Sequence, residues 1–87
     1  MNRDNQAGDA TETAYVFDAR GIDRRFRHPA IFAAVDSLTP GEVMRFVNDH
    51  DPLPLLGQLG EIFGEALGVD YRQREQGAVV IDFRRLD

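Results

Sequence analysis

The stretch that decides the fold runs from residue 45 to residue 59 and reads "RFVNDHDPLPLLGQL". Its first four residues end the segment "EVMRFVN", which is rich in β-branched and apolar residues and predicts a β-strand. Its end opens the segment "DPLPLLGQLGEIFGEAL", in which apolar residues recur at helical spacing. We expect Asp51 to be the N-cap of this helix, with Pro52 just inside it and Gly68 near its C-terminal end. The stretch therefore predicts a strand, a polar turn and a helix in direct succession.

The residues before this stretch predict one more strand and one more helix. "AYVFDAR", from Ala14 to Arg20, is apolar and aromatic and suits a short strand, and "GIDRRFR" follows it as a loop. "HPAIFAAVDSL" predicts the first helix, with Pro29 at the first helical position, where its missing N–H costs nothing. Pro40 and Gly41 end that helix.

The residues after the central helix predict a hairpin. "VDYRQRE" and "AVVIDFRR" alternate with period two on either side of "QG", which favours antiparallel pairing. In the last strand we expect Val79, Ile81 and Phe83 to face one side. The element order β-α-β-α-β-β predicts an α/β (α+β) protein, a two-layer sandwich with two helices on one face of a four-stranded mixed sheet.

Length and composition limit both the domain organisation and the chemistry. The chain has 87 residues, which predicts a polar, disordered tail at residues 1–13 and a single domain at residues 14–87. It contains no cysteine, so thiolate catalysis, sulfur transfer and iron–sulfur clusters are excluded. The net charge of −5 argues against nucleic acid and anionic membranes as partners. The chain shows neither a membrane-length apolar run nor a signal peptide, which predicts a cytoplasmic location.

The polar turn and the start of the first helix hold the two histidines of the chain. If the first two strands are parallel, His28 and His50 emerge at the same sheet edge, where open α/β sheets tend to bind ligands. Two helix N-termini, each with unpaired N–H groups, are expected there as well. One interpretation is a divalent transition metal (Zn, Mn, Fe or Ni) held by both histidines with Asp49 or Asp51.

Each of these residues also has a purely structural interpretation. Asp51 alone suffices as a helix cap, and Asn48 suits the end of a strand. His50 suits a turn and His28 a helix entry. A separate basic cluster, the Arg20–Arg27 loop "RGIDRRFR", can dock a carboxylate or phosphate, or remain a solvated loop.

The segment "RHPAIFAAVDSLTPGEVMRFVNDHDPLPL" resembles the bacterial family known as domain of unknown function 2249. The shared motifs are an Arg-His-Pro-x-Ile-Phe start, a Leu-x-Pro-Gly-Glu turn and an Asn-Asp-His-Asp-Pro-x-Pro-Leu segment. The resemblance covers residues 15–59, and the terminal hairpin follows it more loosely.

The resemblance implies the fold of the TusA-like (SirA-like) sulfur carriers. Those proteins place a Cys-Pro pair where this chain has His28-Pro29, so their persulfide transfer cannot operate here. It also implies an accessory role in redox or nitrogen-oxide metabolism. The ligand-binding residues that it carries over are Arg27, His28, Asn48, Asp49, His50 and Asp51.

Together these observations favour a small, non-catalytic binding module for a metal ion or small anionic ligand at the edge that holds His28 and His50. One alternative is a protein–protein interaction domain that docks through the same edge and the Arg20–Arg27 loop. The other is a hydrolase-like or transferase enzyme that uses His50 as general base. The sequence favours the non-catalytic interpretations and leaves the ligand, the protein partner and the oligomeric state open.

Overall fold

The computed structural model of the protein describes residues 14–87, so the tail predicted at residues 1–13 lies outside the described part of the chain. Its four strands are β1 (Ala14–Asp18), β2 (Val43–Asn48), β3 (Leu67–Glu75) and β4 (Ala78–Arg85). Its two α-helices are α1 (Arg24–Asp36) and α2 (Leu53–Phe63), and short 3-10 turns cover Ala19–Gly21 and Gly64–Ala66. The predicted order of strands and helices is confirmed.

The four strands form one mixed sheet in the order β1-β2-β4-β3. Strands β1 and β2 are parallel, whereas β4 runs antiparallel to both of its neighbours. The β3–β4 hairpin turns at "QG", where Gly77 has φ +81°, a conformation that favours glycine. The register of β3 against β4 shifts between Tyr71 and Gln73, so the pairing is irregular there.

The core lies between the sheet and the two helices. Phe46 packs against Phe17 on one side and Phe83 on the other, with ring centroids 6.3 and 5.7 Å apart, so an aromatic row crosses three strands. The helices complete this core with four side chains that are at most 1% exposed, namely Ile31, Val35, Leu55 and Leu59. The predicted inward alternation of β4 is also confirmed, since Val79, Ile81 and Phe83 are at most 2% exposed.

The opposite face of the sheet is not part of this core and carries charged residues. Arg45 on β2 donates from Nε and Nη2 to the two carboxylate oxygens of Asp82 on β4, at 2.8 and 3.0 Å. Arg72 on β3 lies 3.8 Å from Asp82 and 3.9 Å from Asp70. The molecule is therefore the expected two-layer α/β sandwich, with both helices on one face of the sheet.

The first helix begins earlier than the sequence predicts. It starts at Arg24, and the Asp23 carboxylate caps it by accepting a hydrogen bond from the Arg25 N–H at 3.0 Å. Pro29 therefore lies in the second turn, where a proline removes one main-chain hydrogen bond but leaves the rest of the helix in place. His28 lies one turn inside α1 and not at its N-terminus, which corrects the predicted helix entry.

The second helix differs from the prediction at both ends. Pro52 stands at the N-cap, and no side-chain hydrogen bond caps the helix, because the proline side chain has no polar atom. The helix ends at Phe63, where Gly64 adopts φ +55°, and the chain then enters β3 at Leu67. Gly68 consequently lies in a strand, and the prediction of a C-terminal glycine there is wrong. No helix within residues 14–87 is long and apolar enough to cross a membrane.

Candidate functional site

A cleft of about 220 Å³ opens where the C-terminal end of β2 meets α1 and the start of α2. This is the sheet edge that the sequence predicts, and both histidines line it. The polar lining residues are Arg24, Arg27, His28, Asn48 and His50. The apolar lining residues are Ile31, Phe46, Pro52, Pro54 and Leu55. Four of the six predicted ligand-binding residues are therefore brought together, whereas Asp49 and Asp51 do not line the cleft.

Arg27 fixes the geometry of the cleft wall. Its Nε donates to the Ile22 carbonyl at 2.8 Å and its Nη2 to the Arg20 carbonyl at 3.4 Å. Its Nη1 reaches Asn48 Oδ1 at 3.3 Å and Asp49 Oδ1 at 3.5 Å. The Arg27 side chain is only 12% exposed. Its donors are therefore engaged within the protein, and it holds α1 against the end of β2.

The turn after β2 is organised by Asn48. This residue is 3% exposed, and its Nδ2 donates to the His50 carbonyl at 3.0 Å while its Oδ1 accepts from Arg27. Both ends of the Asn48 amide are thus satisfied, as a buried polar group requires. Asn48 shapes the turn that presents His50.

Asp49 and His50 form a pair on this turn. Asp49 Oδ1 lies 2.7 Å from His50 Nδ1, and the other ring nitrogen, Nε2, takes no part in this contact. The hydrogen bond with His50, followed by the charge of Arg27, lowers the pKa of the Asp49 carboxyl below its ordinary value. The His50 side chain is 56% exposed. An imidazole that a carboxylate orients in this way is available to bind a ligand or to exchange a proton.

Asp51 contacts β3 and does not cap α2, which corrects the predicted helix cap. Its Oδ1 accepts from the Tyr71 hydroxyl at 2.5 Å and its Oδ2 from Arg74 Nε at 2.8 Å. The Arg74 guanidinium also lies over the Tyr71 ring, 4.4 Å from its centroid. The hydrogen bond from Tyr71 lowers the pKa of Asp51, while burial and that same bond raise the pKa of the Tyr71 hydroxyl. These contacts fasten the β2–α2 connection to the sheet.

His28 projects from α1 beside Phe32, one turn further along the helix. The two rings meet edge to face with centroids 6.3 Å apart. Helical spacing of four residues brings such side chains together. His28 is thereby packed on its own helix while it lines the cleft.

The metal hypothesis requires three ligands in one place. Among residues 14–87, no three histidine, aspartate or glutamate side chains form a group that could hold a metal ion. Asp51 is bonded to Tyr71 and Arg74, and Asp49 to His50 and Arg27. The metal assignment stays a prediction, and the donor set of the cleft itself is cationic and amide-bearing.

The predicted basic loop is for the most part not a loop. Arg24, Arg25 and Arg27 lie in the first turns of α1. Arg20 forms hydrogen bonds with Asp18 at 2.9 and 2.8 Å, and these side-chain bonds, with that from the Arg20 N–H, lower the pKa of Asp18 to about 2. Arg24 is the arginine that reasoning from the sequence missed as a cleft residue. Arg24 precedes His28 by four residues on α1, so the two side chains lie on the same face of the helix. With the correct helix start, this spacing would have predicted Arg24 as a cleft residue.

A two-layer α/β sandwich, with a small cleft of polar and apolar residues at the C-terminal end of β2, defines the structural class. The model of the family described as "Uncharacterized conserved protein (DUF2249)" matches residues 16–85. The chain belongs to this family, and the match continues through the second helix and the hairpin, beyond the motifs that the sequence shares most closely. No curated protein matches the chain. No solved structure matches it either.

Proposed function

We propose that this protein is a small, non-catalytic binding module that takes up a small anion in the cleft between α1 and α2. The observation that carries the proposal is the donor set of the cleft. Arg24, His28 and His50 present nitrogen donors, and no acidic residue of the described chain lines the cleft. Guanidinium groups are suited to carboxylate and phosphate oxygens, and an imidazole N–H can also donate a hydrogen bond to them.

The cleft lining differs in charge from the molecule as a whole. The chain carries a net charge of −5, yet no acidic side chain among residues 14–87 lines the cleft. Asp49 is paired with His50 and Arg27, and Asp51 with Tyr71 and Arg74. A local cationic lining on an acidic protein favours a small, localised anion over an extended polyanion. The cytoplasmic location is predicted from the sequence, and the link to redox or nitrogen-oxide metabolism from the family resemblance, and both remain predictions.

The rival function as a protein-docking domain has less support from the Arg20–Arg27 segment. Arg20 is paired with Asp18, and Arg27 is bonded to Asn48 and to main-chain carbonyls. Arg24 and Arg25 are the two arginines of this segment for which no side-chain hydrogen bond to another described residue is found. A partner protein that docks at this edge would therefore have only Arg24 and Arg25 of this segment as unengaged basic side chains among the described residues.

A second candidate function, general base catalysis, is favoured by the Asp49–His50 pair. The 2.7 Å contact orients the imidazole and leaves Nε2 free to accept a proton. Such an enzyme would lose its turnover in His50→Gln and keep it in His28→Gln, measured over a pH series with ester and phosphoester substrates. Equal turnover in both variants and in the wild type would rule out this use of His50.

The binding proposal is tested by NMR titration with acetate and with inorganic phosphate, each at constant pH and ionic strength. The ring signals of His28 and His50 are direct reporters because these are the two histidines of the chain. We expect both rings to shift with a common dissociation constant. Arg24→Gln should weaken binding at least about tenfold, since a hydrogen bond to a charged group typically contributes about 1.5–3 kcal/mol.

The matched control is Arg25→Gln. Arg25 is adjacent to Arg24 on α1 but does not line the cleft, and its guanidinium lies 5.6 Å from the centroid of the Phe26 ring. Its substitution should leave the dissociation constant within about twofold. Equal losses in both variants would mean that net charge attracts the anion, and unmoved histidine signals would refute the binding proposal.

A further inference from the structure

The two edge strands of the sheet, β1 and β3, differ in chemistry. Strand β3 carries four charged residues, namely Asp70, Arg72, Arg74 and Glu75. Its pairing with β4 is also irregular after Tyr71. Charged side chains and irregular pairing are features that keep an edge strand from joining another sheet. Strand β1 lacks both features, since residues 14–17 are uncharged and their register with β2 is regular.

Strand β1 exposes apolar side chains on both faces of the sheet. Tyr15 is 58% exposed and Val16 is 70% exposed. Tyr15 is in register with Met44, which belongs to the core. Val16 is in register with Arg45, which lies on the charged face. A partner that packs on one face would cover only one of these two side chains. A strand that pairs with the edge covers both, because its own side chains alternate between the same faces.

The acidic residues beside β1 are engaged. Asp18 accepts hydrogen bonds from Arg20 at 2.9 and 2.8 Å. Glu42 accepts from the Thr39 N–H at 2.8 Å and from the Tyr15 hydroxyl at 3.3 Å. The whole chain carries a net charge of −5, so two copies repel each other in general. That repulsion is weakest where the copies meet through an uncharged strand whose neighbouring acids already have partners.

The sequence of β1 is suited to pairing with a copy of itself. Its order is aromatic, valine, aromatic, because Val16 lies between Tyr15 and Phe17. Antiparallel pairing centred on Val16 places this valine opposite its own copy. It also places each Tyr15 opposite Phe17 of the other copy, and aromatic pairs of this kind stabilise neighbouring strands. Asp18 then lies opposite Ala14, so like charges do not face each other across the pair.

A groove of about 310 Å³ lies between β1 and α1 on the core side of this edge. Two small residues of α1, Ala34 and Ser37, form its helix side, and Tyr15 lies on its strand side. The aromatic side chains of a second β1 would lie beside this groove. We propose that β1 is a dimerisation edge, at which two copies of the chain pair antiparallel about a twofold axis at Val16. Their two sheets then form one continuous sheet. This dimer goes beyond the proposed function and does not depend on it.

The experiment measures the mass of the full-length chain by sedimentation equilibrium over a series of protein concentrations. We expect the wild type to pass from one chain to two as the concentration rises. Val16→Lys and Val16→Glu should each weaken the dimer at least about tenfold, because like charges then lie directly opposite each other. A mixture of the two variants should form a heterodimer at least about tenfold more tightly than either variant associates with itself, because opposite charges then face each other.

The matched control is Val69→Lys, because Val69 is 47% exposed on the other edge strand. It should leave the dissociation constant of the dimer within about twofold. Circular dichroism checks that every variant is folded, which the exposure of both positions favours. A wild type that stays a monomer up to about 1 mM would overturn the proposal. Equal losses in Val16→Lys and Val69→Lys would show that β1 is not the contact. If the two Val16 variants do not associate with each other, Val16 does not lie opposite its copy and the proposed pairing is wrong.

Discussion

Asp51 shows how one residue acquires a role that its sequence position does not indicate. Directly before a proline and a leucine-rich helix, an aspartate is a good candidate for an N-cap. In the fold its two oxygens instead accept from Tyr71 and Arg74 on β3. Side chains of β3 thus hold the loop that presents His50. Arg27 also holds this loop, through its hydrogen bonds to Asn48 and Asp49.

Asp51→Asn is expected to lower the free energy of unfolding at pH 7. The amide still accepts a hydrogen bond from Tyr71 but no longer attracts Arg74 as a charge. Urea denaturation measures the change. Asp70→Asn is the control, because the Asp70 side chain is 73% exposed and its contact with Arg72 is long, at 3.9 Å.

The stability difference between the wild type and Asp51→Asn should depend on pH. Because the fold lowers the pKa of Asp51, its stabilising contribution is present above its ordinary pKa of about 3.9 and is lost as pH falls through the lowered value. The stability difference between wild type and Asp51→Asn should therefore shrink below about pH 4. A difference that stays constant down to pH 2 would show that the carboxylate charge is not its cause.

At the scale of elements, the two ends of α2 illustrate what local patterns predict well and badly. The apolar spacing predicts the helix itself, because burying Leu55 and Leu59 on one face requires that period. Its C-terminus depends on a single backbone conformation at Gly64, with φ +55° and ψ −130°. Four glycines between residues 57 and 68 each offer such a stop, so the sequence alone does not select one.

Two glycine substitutions on this element should have opposite effects. Gly60→Ala is expected to stabilise the protein by about 0.5–1 kcal/mol, since an added Cβ meets no heavy atom within 4 Å and alanine is the better helix former. Gly64→Ala is expected to destabilise it by about 1 kcal/mol or more, because its φ is strained for an L-residue. Thermal unfolding measures both, and the same sign in both variants would contradict this account of the helix end.

At the scale of the whole domain, residues 14–87 share one core, which lies on the face of the sheet that the helices cover. The other face relies on the ionic contacts of Asp82 with Arg45 and Arg72. A domain of this length is expected to have a net stability of about 4–13 kcal/mol. A single core truncation is therefore a large fraction of the total.

A matched pair of leucines on α2 tests this dependence. Leu59→Ala, at a fully buried position, is expected to cost about 2–5 kcal/mol. Leu53→Ala, at a position that is 59% exposed, is expected to cost less than about 0.5 kcal/mol. Circular dichroism during urea denaturation distinguishes them. Similar losses at both positions would mean that α2 contributes through helix propensity and not through burial.

The sequence by itself determined the features that depend on near neighbours. Period-two alternation predicted the inward side chains of β4, and "QG" predicted the hairpin turn. The order of strands and helices followed from the positions at which period-two alternation gives way to helical spacing. The lack of cysteine excludes thiol chemistry through composition alone. The inferences about strands, helices and turns use interactions between residues only a few positions apart.

Only the tertiary structure decided the contacts between distant residues. Tyr71 and Arg74 lie 20 and 23 positions from Asp51, and Arg27 lies 21 positions from Asn48. Whether a carboxylate caps its own helix or accepts from another strand depends on which donors the fold brings within 3 Å. The cleft arises in the same way, since its lining residues come from α1, β2, the turn after β2 and α2. Local patterns place residues on elements, but packing between elements selects their partners.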